Sequence, residues 1–263
     1  MFNNDGPIVA TTAGEVQGSR KEEGGVAVFK AVPYAAPPVG DRRWRPPAPV
    51  EPWKGVRKAS KDGPAAWQRA SGFEEFLTLL VEGQGWNRVR SAATIAGLKR
   101  APKPKQDEDC LHLTVRTPDP SPEAKLPVMV WIHGGDHQDG SSNEVFYASN
   151  ALAESGVVSV AINYRLGLLG YLAHPELSAE SIDGVSGNYG TLDQIAALEW
   201  VRDNIASFGG DPDNVTIFGE SAGGESVLHL MVSPLARGLF HRAIAQSPAN
   251  GGQHNLLRTP FLD

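Results

Sequence analysis

From about residue 110 onward, strand-length runs of apolar and β-branched residues alternate with segments of helical periodicity. Near-continuous apolar strands that alternate with helices predict a mostly parallel central sheet covered by helices on both faces. In sheets of this kind, ligands bind beyond the carboxyl ends of the strands. The runs that we interpret as strands are CLHLTVRTP, LPVMVWIHGG, VVSVAINYR, NVTIFGES and RAIAQSPAN, and the helical segments are residues 143–155, 191–208 and 222–232.

The first part of the chain has a different character. Short apolar runs separated by glycine and proline fill residues 1–60, and they predict short antiparallel strands joined by turns. Residues 72–100 carry apolar side chains at helical spacing and predict one or two short helices, which either pack on the core or form a wall over a pocket. With 263 residues, 41% of them hydrophobic, and no internal repeat, we expect residues 1–263 to belong to a single α/β domain.

Charge and composition argue against several classes of function. The formal net charge of −6 disfavours a nucleic-acid-binding protein, which needs a basic face. The 7 histidines and the single cysteine show no metal-ligand spacing, so we expect neither a metal nor an organic cofactor. No apolar run approaches the ~18 residues of a membrane span, and no signal peptide is visible. A cytoplasmic location is favoured, with a secreted protein that has lost its leader as the alternative, and the oligomeric state is not predicted.

A tight turn, GESAG, separates a predicted strand from a predicted helix and places one serine between glycines. Such a turn lifts the hydroxyl of Ser221 clear of the sheet, and Gly219 and Gly223 avoid collisions with the neighbouring elements. A glycine-rich turn capped by an inert serine is the alternative. The strand before the turn and the helix after it favour a nucleophile, because the G-x-S-x-G pattern is functional in that context.

A serine nucleophile also needs hydrogen-bond donors for the oxyanion that forms during acyl transfer. The loop HGGDHQDGSS continues from a predicted strand, and Gly134 and Gly135 allow its backbone to approach a substrate. In the nucleophile-elbow pattern, an amide of such a loop acts together with the amide after the nucleophile, here Ala222. An ordinary turn at the end of a strand is the alternative interpretation of this loop.

Taken together, PVMVWIHGG, INYRLGLLGYL, EDCLHL and the stretch from GNYGTLDQ to IFGESAGG resemble the type-B carboxylesterases, which are α/β-hydrolases related to the cholinesterases. The resemblance covers residues 14–247. It implies a serine hydrolase that acts on small-molecule carboxylic esters through an acyl-serine on Ser221. It also implies an oxyanion hole formed by the amides of Gly135, Asp136 and Ala222, with Gly134 shaping the loop. Finally, it implies two buried structural ion pairs, Arg43 with Glu108 and Arg165 with Asp193.

Two residues depart from the pattern of that family. The family has glycine or alanine where this chain has Asp136, and a carboxylate beside a developing oxyanion would oppose catalysis. We therefore expect Asp136 to contribute only its amide and to turn its side chain away. Many relatives pair the cysteine of EDC with an upstream cysteine, but residues 63–68 contain none, so Cys110 is expected to be a buried free thiol.

The triad acid and histidine follow the serine in this family, and the segment after Ser221 is short. His229 lies about 12 Å along the same predicted helix, His241 precedes a strand at the wrong end of the sheet, and His254 lies in a glycine-rich tail. We therefore expect the acid and the base beyond residue 263, so that this chain is the N-terminal part of an incomplete domain, poorly soluble and nearly inactive alone. The alternatives are a natural inactive truncation and a non-catalytic binding module, which the presence of Ser221 disfavours.

Overall fold

The computed structural model describes residues 5–20, 25–68, 78–79, 81–100, 104–144 and 148–248. Nine strands and six α-helices are assigned in these ranges, together with short 3-10 turns. The strands are β1 (Asp5–Ala10), β2 (Glu15–Arg20), β3 (Ala27–Pro33), β4 (Val56–Lys58), β5 (His112–Thr117), β6 (Leu126–Ile132), β7 (Val158–Ile162), β8 (Gly210–Glu220) and β9 (Arg242–Gln246). The helices are α1 (Arg88–Arg100), α2 (Ala151–Glu154), α3 (Gly167–Tyr171), α4 (Pro175–Glu180), α5 (Tyr189–Asn204) and α6 (Ala222–Val232).

The strands form one mixed sheet in the order β1-β2-β3-β5-β7-β6-β8-β9, with β4 paired to β2. Strands β7, β6, β8 and β9 are mutually parallel, as expected for runs that are connected through helices. The antiparallel part extends further than the N-terminal region, because β5 runs antiparallel to both β3 and β7. The expected α/β architecture is present, and its sheet is half antiparallel rather than mostly parallel because β5 pairs antiparallel with both of its neighbours.

The chain order of the parallel strands reverses at β6 and β8, which are neighbours in the sheet. From β6 the chain passes through α2 to β7 on one side, and from β8 it passes through α6 to β9 on the other. Right-handed crossovers therefore place α2 on one face and α6 on the opposite face. The carboxyl ends of β6 and β8 lie at the point of reversal, where ligands bind in open α/β sheets.

Helix α5 covers the same face as α6 and closes the main core. Phe208, just beyond its end, meets Phe29 edge-on at 4.9 Å between ring centroids and Trp200 at 5.6 Å. The helix was expected to continue to Phe208, but its last four residues, Ile205–Phe208, tighten into a 3-10 turn. Gly209 then ends the turn with φ +83°, a left-handed conformation that glycine adopts without strain.

Other element boundaries differ more from expectation. Within residues 143–155, α2 covers only Ala151–Glu154, and residues 145–147 lie outside the described ranges. Of the helices expected in residues 72–100, α1 is present, whereas residues 69–77 and 80 are not described. Helix α6 begins and ends where the sequence predicted. Within the described ranges, no helix is both long enough and apolar enough to cross a membrane.

Strand β9 forms one edge of the sheet, since it pairs with β8 and with no other described strand. Apolar side chains are exposed on β9 and on the neighbouring α6 and its following turn: Ile244, Leu228, Met231, Val232 and Leu235. An open strand edge flanked by exposed apolar side chains favours association with further polypeptide. We therefore expect this edge to be prone to aggregation.

Candidate active site

Ser221 occupies a strained turn between β8 and α6. Its backbone has φ +56° and ψ −125°, a combination that is rare for a residue with a side chain and costs of order 1–3 kcal/mol. Two hydrogen bonds hold the turn: the Ser221 amide donates to the carbonyl of Gln246 at 3.0 Å, and the Glu225 amide donates to the carbonyl of Ser221 at 3.0 Å. The serine side chain makes no capping bond to its own helix, so the fold leaves the hydroxyl uncommitted to that role.

The glycines around Ser221 are required by close backbone contacts. A Cβ on Gly219 would lie 2.5 Å from the carbonyl oxygen of Gly223 and 2.7 Å from that of Ile132. A Cβ on Gly223 would overlap the same Ile132 oxygen. Real Cβ atoms do not approach backbone atoms so closely, and backbone cannot move aside as a flexible side chain can. The elbow therefore depends on the GESAG spacing because β8, α6 and the end of β6 meet there.

The loop after β6 packs directly against the serine. A Cβ on Gly134 would lie 2.6 Å from the carbonyl oxygen of Glu220 and 3.2 Å from the Cβ of Ser221. The next residues turn sharply, with φ +102° at Gly135 and φ +54° at Asp136. These two loops follow β6 and β8, which are neighbours in the sheet, and the structure brings them into van der Waals contact.

Three backbone amides lie within two residues of this contact along the chain: those of Gly135 and Asp136 after Gly134, and that of Ala222 after Ser221. In the described ranges, we find no hydrogen bond donated by the amides of Gly135, Asp136 or Ala222. The carbonyl of Gly135 is engaged instead, because it accepts from the amides of Gln138 at 2.9 Å and Asp139 at 3.0 Å. The Asp136 residue is exposed to solvent. Uncommitted amides near the serine are suitable donors to a developing oxyanion.

Aromatic and polar contacts fix the start of this loop. The hydroxyl of Tyr164 donates to the carbonyl of His133 at 2.8 Å, and the two rings stack at 4.4 Å between centroids. Burial lowers the pKa of His133 to about 4, so the imidazole is neutral near pH 7. Its Nδ1 lies 2.9 Å from the carbonyl of Gly134, which identifies Nδ1 as the protonated nitrogen of the neutral ring. The ring of His133 therefore supports the loop and is unsuited to act as a base.

The far end of the loop is held by two reciprocal bonds to a segment from the first third of the chain. The Gly140 amide donates to Oε1 of Gln68 at 2.9 Å, and Nε2 of Gln68 donates to the carbonyl of Gly140 at 3.0 Å. Between the two ends, the Gly167 amide donates to the carbonyl of His137 at 2.7 Å. Contacts from two distant segments, the one with Gln68 and the one from Tyr164 to Gly167, thus fix the backbone of the candidate oxyanion loop.

A histidine–glutamate contact beside the site was not predicted. Nε2 of His137 lies 3.6 Å from Oε2 of Glu225, and both side chains are mostly buried. The ring of His137 also meets that of Tyr171 at 4.8 Å between centroids. Glu225 lies one helical turn after Ser221, and this spacing of four residues was the sequence signal that its side chain lies on the same helix face as the serine. No sequence pattern indicated that His137 would meet it.

The histidines after Ser221 do not approach it. Nδ1 of His241 accepts a hydrogen bond from the Val215 amide at 3.2 Å, which places it at the amino end of β8, opposite the serine. His229 is exposed on the last turn of α6. The third candidate, His254, lies outside the described residues.

The two expected ion pairs are formed, but only one is buried. Arg165 contacts Asp193 through Nε at 2.8 Å and Nη2 at 2.7 Å, deep in the core. Burial raises the pKa of Asp193, and the hydrogen bonds from Arg165 oppose that rise. Arg43 contacts Glu108 at 2.6 and 2.7 Å. The side chains of this second pair are 37% and 21% exposed, so the expectation of burial was wrong for it, because the proline-rich loop carrying Arg43 runs over the surface.

Cys110 is buried and forms no disulfide. Burial raises the pKa of its thiol, which makes the side chain a poor nucleophile. Within the part of the chain that the structure describes, no cluster of three or more histidine, cysteine, aspartate or glutamate side chains is placed to hold a metal ion. Ser221 is therefore the best-placed candidate nucleophile at the switch point of the sheet.

Relatives in sequence are esterases. The fumonisin B1 esterase of Sphingopyxis macrogoltabida is 45% identical over 238 residues, which cover 90% of this chain and 39% of that protein. The para-nitrobenzyl esterase of Bacillus subtilis (strain 168) is 43% identical, over 92% of this chain and 44% of that protein. The chain thus spans about two fifths of the length of these relatives.

Solved structures and a family comparison agree with these relatives. A thermophilic PNB esterase matches 91% of this chain and 44% of its own, with a TM-score of 0.74 and 41% identity. A carboxylesterase of Geobacillus stearothermophilus matches 90% of this chain and 42% of its own, with a TM-score of 0.72 and 41% identity. These neighbours confirm the α/β-hydrolase fold. A sequence model of the carboxylesterase family matches residues 5–254, so this protein belongs to the carboxylesterase family.

Proposed function

We propose that Ser221 is the nucleophile of a carboxylic ester hydrolase that acts through an acyl-serine intermediate. The observation that carries the proposal is the strained elbow: a serine at φ +56° between β8 and α6, in contact with a glycine loop. The substrate is a small-molecule carboxylic ester, and no nucleic acid takes part. The hydroxyl oxygen bonds to the ester carbonyl carbon, its proton passes to a base, and the alkoxide leaves as an alcohol. Water then releases the acid from the serine.

The tetrahedral intermediate in each step carries a negative oxygen. We assign its stabilisation to the amides of Gly135, Asp136 and Ala222, which lie on the two loops that meet at Ser221. One such donor is worth about 3–4 kcal/mol of transition-state stabilisation. Gly134 allows the loop to lie against the elbow, and the exposed position of Asp136 is consistent with a role for its amide alone. The ion pairs Arg43–Glu108 and Arg165–Asp193 are assigned structural roles.

The general base is assigned to a histidine outside the 263 residues, as is the acid that orients it. His133 is held neutral and hydrogen-bonded to its own loop, and His241 lies at the opposite end of the sheet. A serine hydroxyl without a base is a weak nucleophile. We therefore propose that the 263-residue chain by itself turns over esters very slowly.

A chimera tests this proposal. Residues 1–248 of this chain are joined to the remaining C-terminal part of the Bacillus subtilis para-nitrobenzyl esterase at the aligned position, and hydrolysis of p-nitrophenyl butyrate is measured. The chimera is expected to turn over the ester, and Ser221→Ala is expected to abolish turnover while leaving the fold intact. Ser233→Ala is the matched control, since this serine follows the same helix and makes no capping bond.

A covalent label provides a second measurement. A fluorophosphonate probe is expected to modify the chimera at one position, Ser221, as located by mass spectrometry of the digested protein. A folded chimera that neither hydrolyses the ester nor takes the label would contradict the assignment of Ser221. Fast p-nitrophenyl butyrate turnover by the 263-residue chain alone would instead show that the base lies within it.

A further inference from the structure

A polar groove lies on the face of the sheet opposite the main core. The strand register places Ser19 beside Val28, Val28 beside Arg116, and Arg116 beside Ser159, across β2, β3, β5 and β7. Paired residues share a face, and side chains alternate along each strand, so Lys30 lies on this face as well. Helix α2 covers the same face at β7, because it makes the crossover from β6 to β7.

The lining of this groove is strongly basic in the part that the structure describes. Its cationic residues are Arg20, Lys30, Lys58, Lys61 and Arg116, and its neutral polar residues include Gln17, Ser19 and Ser60. Glu154 is the one acidic residue among the lining residues that the structure describes. Asp62 lies beside the groove and pairs with Lys30 at 2.8 Å. A local excess of positive charge is unexpected in a chain whose formal net charge is −6.

Arg116 is the most informative residue of the groove. Only 4% of its surface is exposed, and it lines the groove. Its guanidinium makes no hydrogen bond or ion pair with a described residue, yet none of its nitrogens is fully closed off from solvent, so the exposed part faces the groove. Burial lowers the pKa of Arg116, whereas Asp62 at longer range raises it. A guanidinium held in one place and facing the groove is a suitable donor to an anion bound there.

The groove is separate from Ser221. Strand β5, which carries Arg116, is three positions from β8 in the sheet, or about 14 Å across at the usual strand spacing. Through the register, Arg116 is level with Thr216, five residues before the serine, or roughly 16 Å along the strand. A ligand of ordinary size does not reach both places.

We propose that this groove binds a small organic anion that carries two or more carboxylate or phosphate groups. Its volume of about 920 Å³ is in the range of small-molecule sites. The buried guanidinium of Arg116 receives one anionic group in a bidentate contact, which carboxylates and phosphates both fit. The exposed ammonium groups of Lys58 and Lys61 receive a second group. Neither lysine makes an ion pair with a described residue.

Calorimetric titration at low ionic strength tests the proposal, with citrate and pyrophosphate as probes. At least one probe is expected to bind with one site per chain. Arg116→Gln is expected to weaken binding about tenfold or more, as for loss of a charge-assisted contact. Arg237→Gln removes the same charge from an exposed position after α6, at the other side of the sheet, and is expected to leave binding unchanged.

Two further variants keep the result interpretable. Lys58→Gln combined with Lys61→Gln changes only exposed side chains, so it is expected to fold normally and to weaken binding even if Arg116→Gln does not fold. Ser221→Ala is expected to bind the probes as the parent protein does. The proposal is overturned if neither probe binds, if Arg237→Gln weakens binding as much as the groove variants, or if only heparin or anionic lipid vesicles bind.

Discussion

Asp193→Asn is expected to destabilise the protein strongly, since it breaks a buried ion pair without changing the shape of the side chain. Asp193 has no exposed surface and accepts three hydrogen bonds from Arg165: from the amide at 3.0 Å, from Nε at 2.8 Å and from Nη2 at 2.7 Å. Asparagine keeps one acceptor oxygen and turns an NH2 group toward a guanidinium. The substitution therefore leaves Arg165 charged, buried and poorly paired.

Removing one partner of a buried pair costs about 3–5 kcal/mol. Solvent screens this ion pair little, because both side chains are buried. A domain has only about 5–15 kcal/mol of total stability, so the substitution removes a large part of it. The loss of stability comes mainly from the unpaired charge, so removing both charges is expected to lower the free energy of unfolding less than removing one. The double variant Arg165→Met with Asp193→Leu still leaves the Arg165 backbone amide without its acceptor, at about 1–3 kcal/mol.

Urea unfolding of the parent, Asp193→Asn, the two single variants Arg165→Met and Asp193→Leu, and their double variant, followed by tryptophan fluorescence, measures these differences. The expected order is parent, double variant, then the variants that break the pair on one side only, which have the lowest midpoints. Two results would refute the reasoning: a loss below about 1 kcal/mol for Asp193→Asn, or a double variant as unstable as the sum of the singles. Lys105→Gln, at an exposed residue, serves as the control that is expected to change little.

Three further predictions follow. Burial lowers the pKa of His133 to about 4 from 6.5, so the unfolded chain binds the proton more readily, and the free energy of unfolding is expected to fall by up to roughly 3 kcal/mol between pH 6.5 and 4. In His133→Phe, the free energy of unfolding is expected to change less with pH over this range. The same pH dependence in this variant as in the parent would contradict the prediction. Gly223→Ala is expected to lower the urea midpoint and to abolish fluorophosphonate labelling of the chimera, because the alanine Cβ would overlap the Ile132 carbonyl oxygen. Retained labelling of this variant would contradict the prediction. Ile244→Lys, on the open edge strand, is expected to raise the soluble fraction of the 263-residue chain by centrifugation assay, and an unchanged fraction would show that the edge does not drive aggregation.

The elements predicted best were those whose local pattern and tertiary role agree. Helix α6 starts after Ser221 as expected, because the glycines, the turn and the apolar spacing all indicate the same boundary. Helix α5 was placed within two residues at its start. Its end was missed because the 3-10 turn at Ile205–Phe208 keeps the apolar spacing of a helix, so periodicity alone does not distinguish the two.

The features that were missed depend on contacts between distant segments. The contact of His137 with Glu225 joins a loop to a helix 88 positions later, and neither residue belongs to a local pattern that predicts it. The antiparallel direction of β5 was missed because a buried strand has the same apolar character in either orientation. In the sequence, Arg116 is a single charged residue in a strand. Only the pairing of β3 with β5 shows that it lies among the lysines of a groove.

Contacts with described residues hold the geometry of the elbow. The backbone carbonyl of Gln246 on β9 accepts a hydrogen bond from the Ser221 amide, and the Glu225 amide on α6 donates one to the Ser221 carbonyl. Gly134 after β6 packs against the Ser221 side chain. These contacts lie on three elements that surround the serine, so they are able to hold its backbone at a positive φ, although a negative φ would be less strained. None of these three contacts involves a base that could accept the serine proton. Preorganisation of the proposed nucleophile and supply of the base are therefore separable. The elbow is expected to keep its backbone conformation without the base, whereas labelling and turnover of Ser221 are both expected to need it.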